Sequence, residues 1–427
     1  MVTPVQRRQW VFSMDEDRIS NPAARTVVKA AKAVMEKNLD KMAMFLKCRH
    51  PEAERRPAFS IVALIKPVGD RCNLRCRYCF NKPWMRSNVM PDEILESIIA
   101  QVLDLSGGTV HFIFHGGEPL LSGIQFFKKA VMFQNRYRRP DQFVRNAVTT
   151  NGTLLGEEWG DFFTEHQFAV AVSVDGPPAV HDANRVDASG RGTMERVMRG
   201  VRSVQACGVK VGSISVITCP PAVSPRELFE FMISLGIRRW RANPCRSIES
   251  VGYYGEYIEG LFDVWSHAKE DIHIPIILET LYSQFGYFPN TCWMKGTCQN
   301  FIGFEPDGVV SPCCEMSLAP SFHFGNICTH SLKDILESPG AQRFWAGRSQ
   351  GDQNHCSGCE WTHLCAGGCT YQRLQYGGNP KDRDYMCESY KDVFRRLTAR
   401  MDSVLSEEYE SQVSSRLLVK TRAEPTP

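Results

Sequence analysis

No apolar stretch in these 427 residues approaches the roughly 20 positions that a membrane-spanning helix needs. The opening residues, MVTPVQRRQWVFSMDEDRIS, lack the continuous apolar core of a secretory signal, so a cytoplasmic protein with no membrane partner is expected. Charge of one sign is scarce too. Fifty Lys and Arg against 47 Asp and Glu leave a formal net charge of +3, too little to argue for a nucleic-acid partner. The basic runs RYRRP (136–140) and RRWR (238–241) read as solvated ends of elements rather than a phosphate-binding face. With 43% hydrophobic and 23% charged residues, the composition is that of an ordinary globular protein. The length allows two or three domains, or one large barrel with an appendage.

Cysteine is what the sequence has in excess. Seventeen cysteines in a reducing compartment do not form a disulfide framework, and an odd, high count of this kind points to metal. Five of them, Cys48, Cys207, Cys219, Cys245 and Cys328, have ordinary neighbours and are expected to be small buried hydrophobes.

The chain divides by pattern. Residues 1–57 form an N-terminal helical extension, with a helix start at Asn21-Pro22 and an apolar face at Val28, Ala31, Met35, Leu39, Met42 and Leu46. From 58 to 245 the text alternates. Strand-like runs at 59–65, 110–114, 143–150, 168–174, 210–217 and 238–242 are separated by helical patterns near 91–105, 122–136, 155–166, 192–206 and 224–235. Near-continuous apolar strands between helices predict a parallel sheet covered on its outer face. Six such units fit a partial (β/α)6 barrel of the α/β class, in which chemistry gathers at the C-terminal ends of the strands. Residues 246–291 read as a helical connector whose tyrosines pack or line a channel, 292–395 as a cysteine-rich domain, and 396–427 as a helix and tail.

Just after the first strand, CNLRCRYCF places Cys72, Cys76 and Cys79 in the spacing C-x3-C-x2-C. A structural zinc site takes four protein ligands, usually from paired C-x2-C knuckles. Three thiolates can instead hold a [4Fe–4S] cluster by three irons and leave the fourth open. This spacing on a loop after the first strand of a βα barrel resembles the radical S-adenosylmethionine enzymes. The resemblance implies that the open iron chelates S-adenosylmethionine. One electron from an external reductant, flavodoxin- or ferredoxin-like, then yields a 5′-deoxyadenosyl radical that abstracts hydrogen from the substrate. HGGEP (115–119) resembles the family's Gly-Gly-Glu-Pro turn, so Gly116, Gly117 and Glu118 are candidate cofactor contacts, with glycines letting backbone approach a ligand. By the same resemblance Ser173 and Arg185 are candidates for the cofactor carboxylate. Asn151 and Asp175 face the cavity, and Tyr78 packs near the adenine; the alternative for these polar residues is loop stabilisation.

The C-terminal cysteines resemble a SPASM domain, the auxiliary-cluster module of peptide-modifying radical enzymes. The family pattern groups Cys292, Cys298, Cys313 and Cys369 around one auxiliary [4Fe–4S] cluster and Cys356, Cys359, Cys365 and Cys387 around another. With the trio, that implies three clusters. A pair of zinc ribbons in a non-catalytic electron-transfer or zinc protein is the alternative from C-x2-C spacing alone.

Residues 58–395 most resemble the anaerobic sulfatase-maturating enzymes, which oxidise a cysteine or serine of a target protein to formylglycine. In those relatives an aspartate follows the cysteine of the GxxxPC run and serves as base; here it is Cys314, in SPCCEM, and the tyrosine usual after YCF is Asn81. Cys314 has three readings: an inert neighbour, an alternative cluster ligand, or a functional thiol. As a hydrogen donor it would make a peptide epimerase, a redox-neutral reaction that gives auxiliary clusters no electron to remove. Oxidation of a side chain in a peptide or protein is therefore the expected reaction, by formylglycine formation or cross-linking, with Glu315 or His115 as further candidates for the base.

Overall fold

The computed structural model describes residues 19–33, 60–79, 88–245, 252–284, 289–295, 298–318, 320–349, 356–377 and 382–422. Its core is a nine-stranded sheet in the order β6-β5-β4-β3-β2-β1-β7-β8-β9. The strands are β1 (Val62–Ile65), β2 (Thr109–Phe114), β3 (Phe143–Thr150), β4 (Ala169–Ser173), β5 (Val211–Ile217), β6 (Trp240–Pro244), β7 (Phe301–Phe304), β8 (Val309–Ser311) and β9 (Gly325–Asn326). From β1 to β6 each strand pairs in parallel with the next. Helices Asp92–Leu105, Ile124–Tyr137, Glu157–Glu165, Met194–Ala206 and Pro225–Ser234 connect them. The α/β alternation read from the sequence is borne out, with β6 and β9 as the end strands of the sheet.

Local chemistry explains these elements. In Asp92–Leu105 the buried Leu95, Ile98, Ile99, Val102 and Leu103 recur at helical spacing, and Asp92 and Glu93 in the first turn suit the positive end of the helix dipole. Ser224 accepts from Glu227 N and Glu227 answers to Ser224 N, a capping box with Pro225 in the first turn. Phe127, Trp159, Phe162, Phe163 and Phe168 make an edge-rich aromatic layer beneath β2; Phe127 meets Trp159 at 5.2 Å and 87°.

Beyond residue 245 the sheet continues. β7 pairs in parallel with the free side of β1, Val62 opposite Phe301 and Ile65 opposite Phe304, and β8 and β9 follow antiparallel. Helices Tyr254–Ser266 and Pro275–Gln284 pack on the last helix, Cys387–Arg422. Tyr254 and Tyr257 are buried, and Tyr254 donates to the Ala242 carbonyl in β6 at 2.7 Å, so both belong to the packing rather than to an open channel. Surface ion pairs Arg396–Glu259 and Arg400–Asp263, each 2.6 Å, orient the helices while adding little stability.

The N-terminal helix covers 22–33, with Val28 and Ala31 buried as the periodicity predicts; Met35, Leu39, Met42 and Leu46 lie outside the described residues, as does Asn81. Asn21 caps it by accepting from Ala23 N at 2.9 Å. The buried carboxylate of Glu408 takes Ser20 N at 3.2 Å, Ser20 Oγ at 3.1 Å and Asn21 N at 2.9 Å, fastening this helix to the last one. Four of the five cysteines expected to be buried are not: Cys207, Cys219 and Cys245 are half-buried and Cys328 is exposed, because each sits at an element's end or in a turn. Cys48 lies outside the described residues. Among the described residues no helix is long and apolar enough to cross a membrane.

Glu408→Ala strands two backbone donors, and the expected loss is about 1–3 kcal/mol of stability. Chemical denaturation of the two proteins under identical conditions measures it.

Candidate active site

The trio's loop is shaped by what it is tied to. Arg71 N bonds the Val68 carbonyl, closing the turn after β1. Arg75 N donates to Val186 O at 2.8 Å and Arg77 N to Asn184 O at 2.9 Å, so the segment after β4 holds the cysteine loop as a strand would. Cys72 Sγ accepts from Leu74 N at 3.4 Å, and Cys79 N bonds Cys76 O at 3.2 Å. Burial pushes the Cys72 thiol up to about 12 and raises that of Cys76. The protein alone therefore does not favour thiolates here; bound iron would, which is the donor chemistry that a cluster fits.

The Gly116–Gly117 turn follows β2 and lies against the start of this loop. Gly117 N donates to Gly69 O at 2.8 Å and Glu118 N to Arg71 O at 2.9 Å. A Cβ on Gly117 would stand 2.0 Å from Arg71 O, so glycine is needed for approach to the chain's own cysteine loop. The Glu118 carboxylate is fully buried and accepts from Leu120 N (3.0 Å), Thr150 Oγ1 (2.7 Å) and Asn151 N (2.7 Å). Burial raises its pKa to about 7, against the pull of these donors. Asn151 Nδ2 reaches Asn73 Oδ1 at 2.7 Å and Cys72 Sγ at 3.8 Å, so its amide braces the trio.

Asp175 lies just beyond β4. It receives Arg185 Nε at 2.9 Å and Nη2 at 3.1 Å, Val216 N at 3.0 Å, and the Tyr78 hydroxyl. Burial opposes its ionisation, but the Arg185 guanidinium outweighs that and holds the carboxyl below its usual range. Arg185 lies over the Tyr78 ring at 5.4 Å. Arg185 is the sequence's candidate for the cofactor carboxylate; its Nε and Nη2 are engaged by Asp175. Ser173 closes β4 half-buried, and His115 stands half-buried after β2 with its N–H on Ile65 O at 2.9 Å.

The structure gathers the C-terminal cysteines into two groups. Cys369 is within electrostatic reach of Cys292 and Cys298, and Cys313 of Cys369; Glu315 faces Cys292, Cys313 and Cys369. Burial pushes the Cys292 thiol up to about 11 and those of Cys313 and Cys369 well up. The other group, Cys356, Cys359, Cys365 and Cys387, lines one cavity with Trp361, Arg373 and Asp384. Cys365 and Cys369 part company across Ala366, Gly367 and Gly368, three successive left-handed residues; a Cβ on Gly368 would fall 2.4 Å from Asp384 Oδ2. Among the described residues no three His, Cys, Asp or Glu side chains converge closely enough for a single metal ion. A cubane, which takes one thiolate per iron, does not require them to.

Sequence reasoning missed two residues here. Lys66 directly follows β1, its ammonium hydrogen-bonded to Asp70 (3.0 Å) and Ser317 Oγ (2.7 Å) and ion-paired with Glu305 (2.8 Å); its one signal was a lysine closing the apolar run SIVALI. Asp384 accepts from Cys369 N at 2.7 Å and Met386 N at 2.8 Å, joining the two cysteine groups. Asp384→Ala leaves both donors unmet, so anaerobically reconstituted protein is expected to fall from the iron and sulfide of three clusters toward that of one, read by metal and sulfide analysis.

Residues 67–234 match the radical SAM superfamily, and residues 292–360 the SPASM iron–sulfur cluster-binding domain. The chain is 30% identical to the cysteine-type anaerobic sulfatase-maturating enzyme of Clostridium perfringens, over 80% of this chain and 97% of that protein. It is 28% identical to the serine-type enzyme of Bacteroides thetaiotaomicron, over 84% of this chain and 94% of that protein. It also superimposes on native anSMEcpe with bound AdoMet and Kp18Cys peptide at a TM-score of 0.73 and 28% identity, covering 82% of this chain and 99% of that one. With its barrel, cysteine loop and two cysteine groups already in place, the chain belongs to the peptide-modifying radical SAM/SPASM enzymes, in the family of the anaerobic sulfatase-maturating enzymes.

Proposed function

We infer that this enzyme oxidises the side chain of a cysteine or serine in a peptide segment of a target protein, as a sulfatase maturase does, with Cys314 standing where its relatives carry an aspartate base. The observation that carries this reading is the bond from the Lys66 ammonium, just beyond β1, to Ser317 Oγ, which itself donates to the Cys314 carbonyl, so that the segment of Cys313 and Cys314 is tied to the end of the strand that leads to Cys72, Cys76 and Cys79. A hydrogen-abstracting site next to an electron outlet suits oxidation; epimerisation has no electron to discharge.

An enzyme of this family works with [4Fe–4S] clusters and S-adenosylmethionine, which when bound supply hydrogen abstraction and an outlet for the remaining electron. The protein's part is placement and proton transfer. Cys72, Cys76 and Cys79 hold the first cluster, while Tyr78, Asp175 and Arg185 form a rigid polar wall beside it. Glu118 and Asn151 act on the cofactor by fixing the glycine turn and the cysteine loop. Cys292, Cys298, Cys313 and Cys369 hold one auxiliary cluster, and Cys356, Cys359, Cys365 and Cys387 the other. Cys314, as a thiolate, takes the proton from the substrate thiol or hydroxyl as the Cβ hydrogen atom and one electron leave by their separate routes. Glu315 instead faces the auxiliary thiols and shapes their field. An external one-electron reductant of the flavodoxin or ferredoxin kind supplies the reducing electron.

A peptide containing Cys-x-Pro-x-Arg, incubated anaerobically with reconstituted enzyme, reductant and S-adenosylmethionine, is expected to exchange its sulfur for a carbonyl oxygen by mass spectrometry. Formation of 5′-deoxyadenosine with an intact peptide overturns the substrate assignment. Alanine at Cys72, Cys76 or Cys79 is expected to abolish both products. Cys314→Ala is expected to slow peptide oxidation by about 10²–10⁴-fold, the usual worth of a positioned base, while Cys314→Asp keeps it. Equal rates for Cys314→Ala and the parent remove the thiol from the mechanism.

A further inference from the structure

Lys66 is 1% exposed, yet it is a lysine, placed directly after the C-terminal end of a central strand. Its ammonium touches three segments far apart in sequence. Asp70 belongs to the turn that delivers Cys72, Glu305 follows β7, and Ser317 lies in the loop after Cys313 and Cys314, 251 residues from the lysine. Ser317 Oγ also donates to the Cys314 carbonyl at 2.9 Å, so one hydroxyl separates the ammonium from the backbone of Cys314. The fourth wall is the glycine turn: a Cβ on Gly116 would stand 2.9 Å from Lys66 Cγ.

The chemistry of this contact favours geometry over stability. An ammonium out of water gives up much of its hydration, and two carboxylates and a hydroxyl restore its partners at fixed directions. Burial opposes its charge, but Glu305 and Asp70 outweigh that and hold its pKa above the ordinary lysine range. A leucine here could fill the space but could not fasten the Cys314 loop to the Cys72 loop.

We propose that Lys66 is a positioning residue for the oxidation: its ammonium clamps the loop carrying Cys314 against the loop carrying Cys72, Cys76 and Cys79, and thereby fixes where the proton acceptor stands relative to the hydrogen-abstracting site. The role in catalysis rests on the function proposed above; the clamp itself does not. It is therefore read first without substrate. Anaerobic holoenzyme is treated with iodoacetamide, and peptide mapping by mass spectrometry follows alkylation of Cys314, with exposed Cys328 as internal reference. Lys66→Gln and Ser317→Ala are each expected to alkylate Cys314 several-fold faster than the parent at unchanged Cys328, and the double variant no faster than Lys66→Gln, because both act through one link. Ser317→Ala leaves both ion pairs of the lysine intact, so it carries the test should Lys66→Gln fail to fold. Cys314 labelling that matches the parent in Ser317→Ala overturns the clamp. The second reading is coupling. Ser317→Ala is expected to form more 5′-deoxyadenosine per peptide oxidised than the parent, with KM for the peptide little changed and kcat for oxidation reduced. A proportional fall in both products means that the clamp has no part in catalysis. Parent enzyme that oxidises no peptide, with accelerated Cys314 labelling in the variants, overturns the substrate reading and leaves the clamp standing.

Discussion

Everything in this molecule's chemistry depends on β1 being paired on both sides. The first strand of an open, partial barrel has one neighbour and one edge, and an edge strand exposes a row of unpaired backbone groups. Here β7 occupies that edge in parallel register, and Lys66 N extends the ladder to the Phe304 carbonyl at 3.0 Å. The chain after β1 leads to the three cysteines of the radical site, and the turn after β7 leaves the same end of the sheet before β8 runs back antiparallel to Cys313 and Cys314. The Lys66 and Ser317 side chains then tie the two segments together.

Side chains then remove the remaining freedom with buried polar contacts. The Asp175–Arg185–Tyr78 arrangement, the triply bonded Glu118, Lys66 with its two carboxylates, and Asp384 between the auxiliary groups all follow one principle. Each is a buried charged group whose partners come from different loops. Replacing such groups by apolar residues of equal volume often costs a protein little stability, so their presence is poor evidence for strength. What they supply is direction, because a hydrogen-bonded charge holds its partners at set distances and angles. Cluster ligands need that more than they need stability: a thiol displaced from its iron in a low-dielectric site reverts to a group that burial keeps protonated.

The barrel was legible in the sequence because its signals are long and local. Each of the six strands and five helices shows its own periodicity, and the cysteine spacings mark chemistry directly. β7, β8 and β9 were not legible. They are two to four residues long and sit among cysteines and glycines; β7 exists through pairing with a strand more than two hundred residues away, and β8 and β9 build on it in turn. Side-chain direction was also beyond reach. The candidates Glu118, Asn151 and Arg185 do cluster at the strand ends, but the atoms read as reaching for a ligand are largely bonded to one another and to the cysteine loop. That is a matter of rotamer and burial, which one sequence does not encode locally. The glycines of HGGEP carry the same lesson: at Gly117 the neighbour demanding space is the chain itself.

Cys314 is where this chain departs from its relatives, and the surrounding geometry gives the departure a place in the chemistry: a thiol beside one auxiliary group, on a loop held to the radical site through Ser317 and Lys66. The account's central claim is that hydrogen leaves a Cβ of a peptide side chain. A cysteine-type sulfatase peptide dideuterated at that Cβ tests it most directly. Deuterium recovered in 5′-deoxyadenosine, matched in amount to the oxidised peptide, is the predicted result. Unlabelled 5′-deoxyadenosine alongside an oxidised peptide would contradict it.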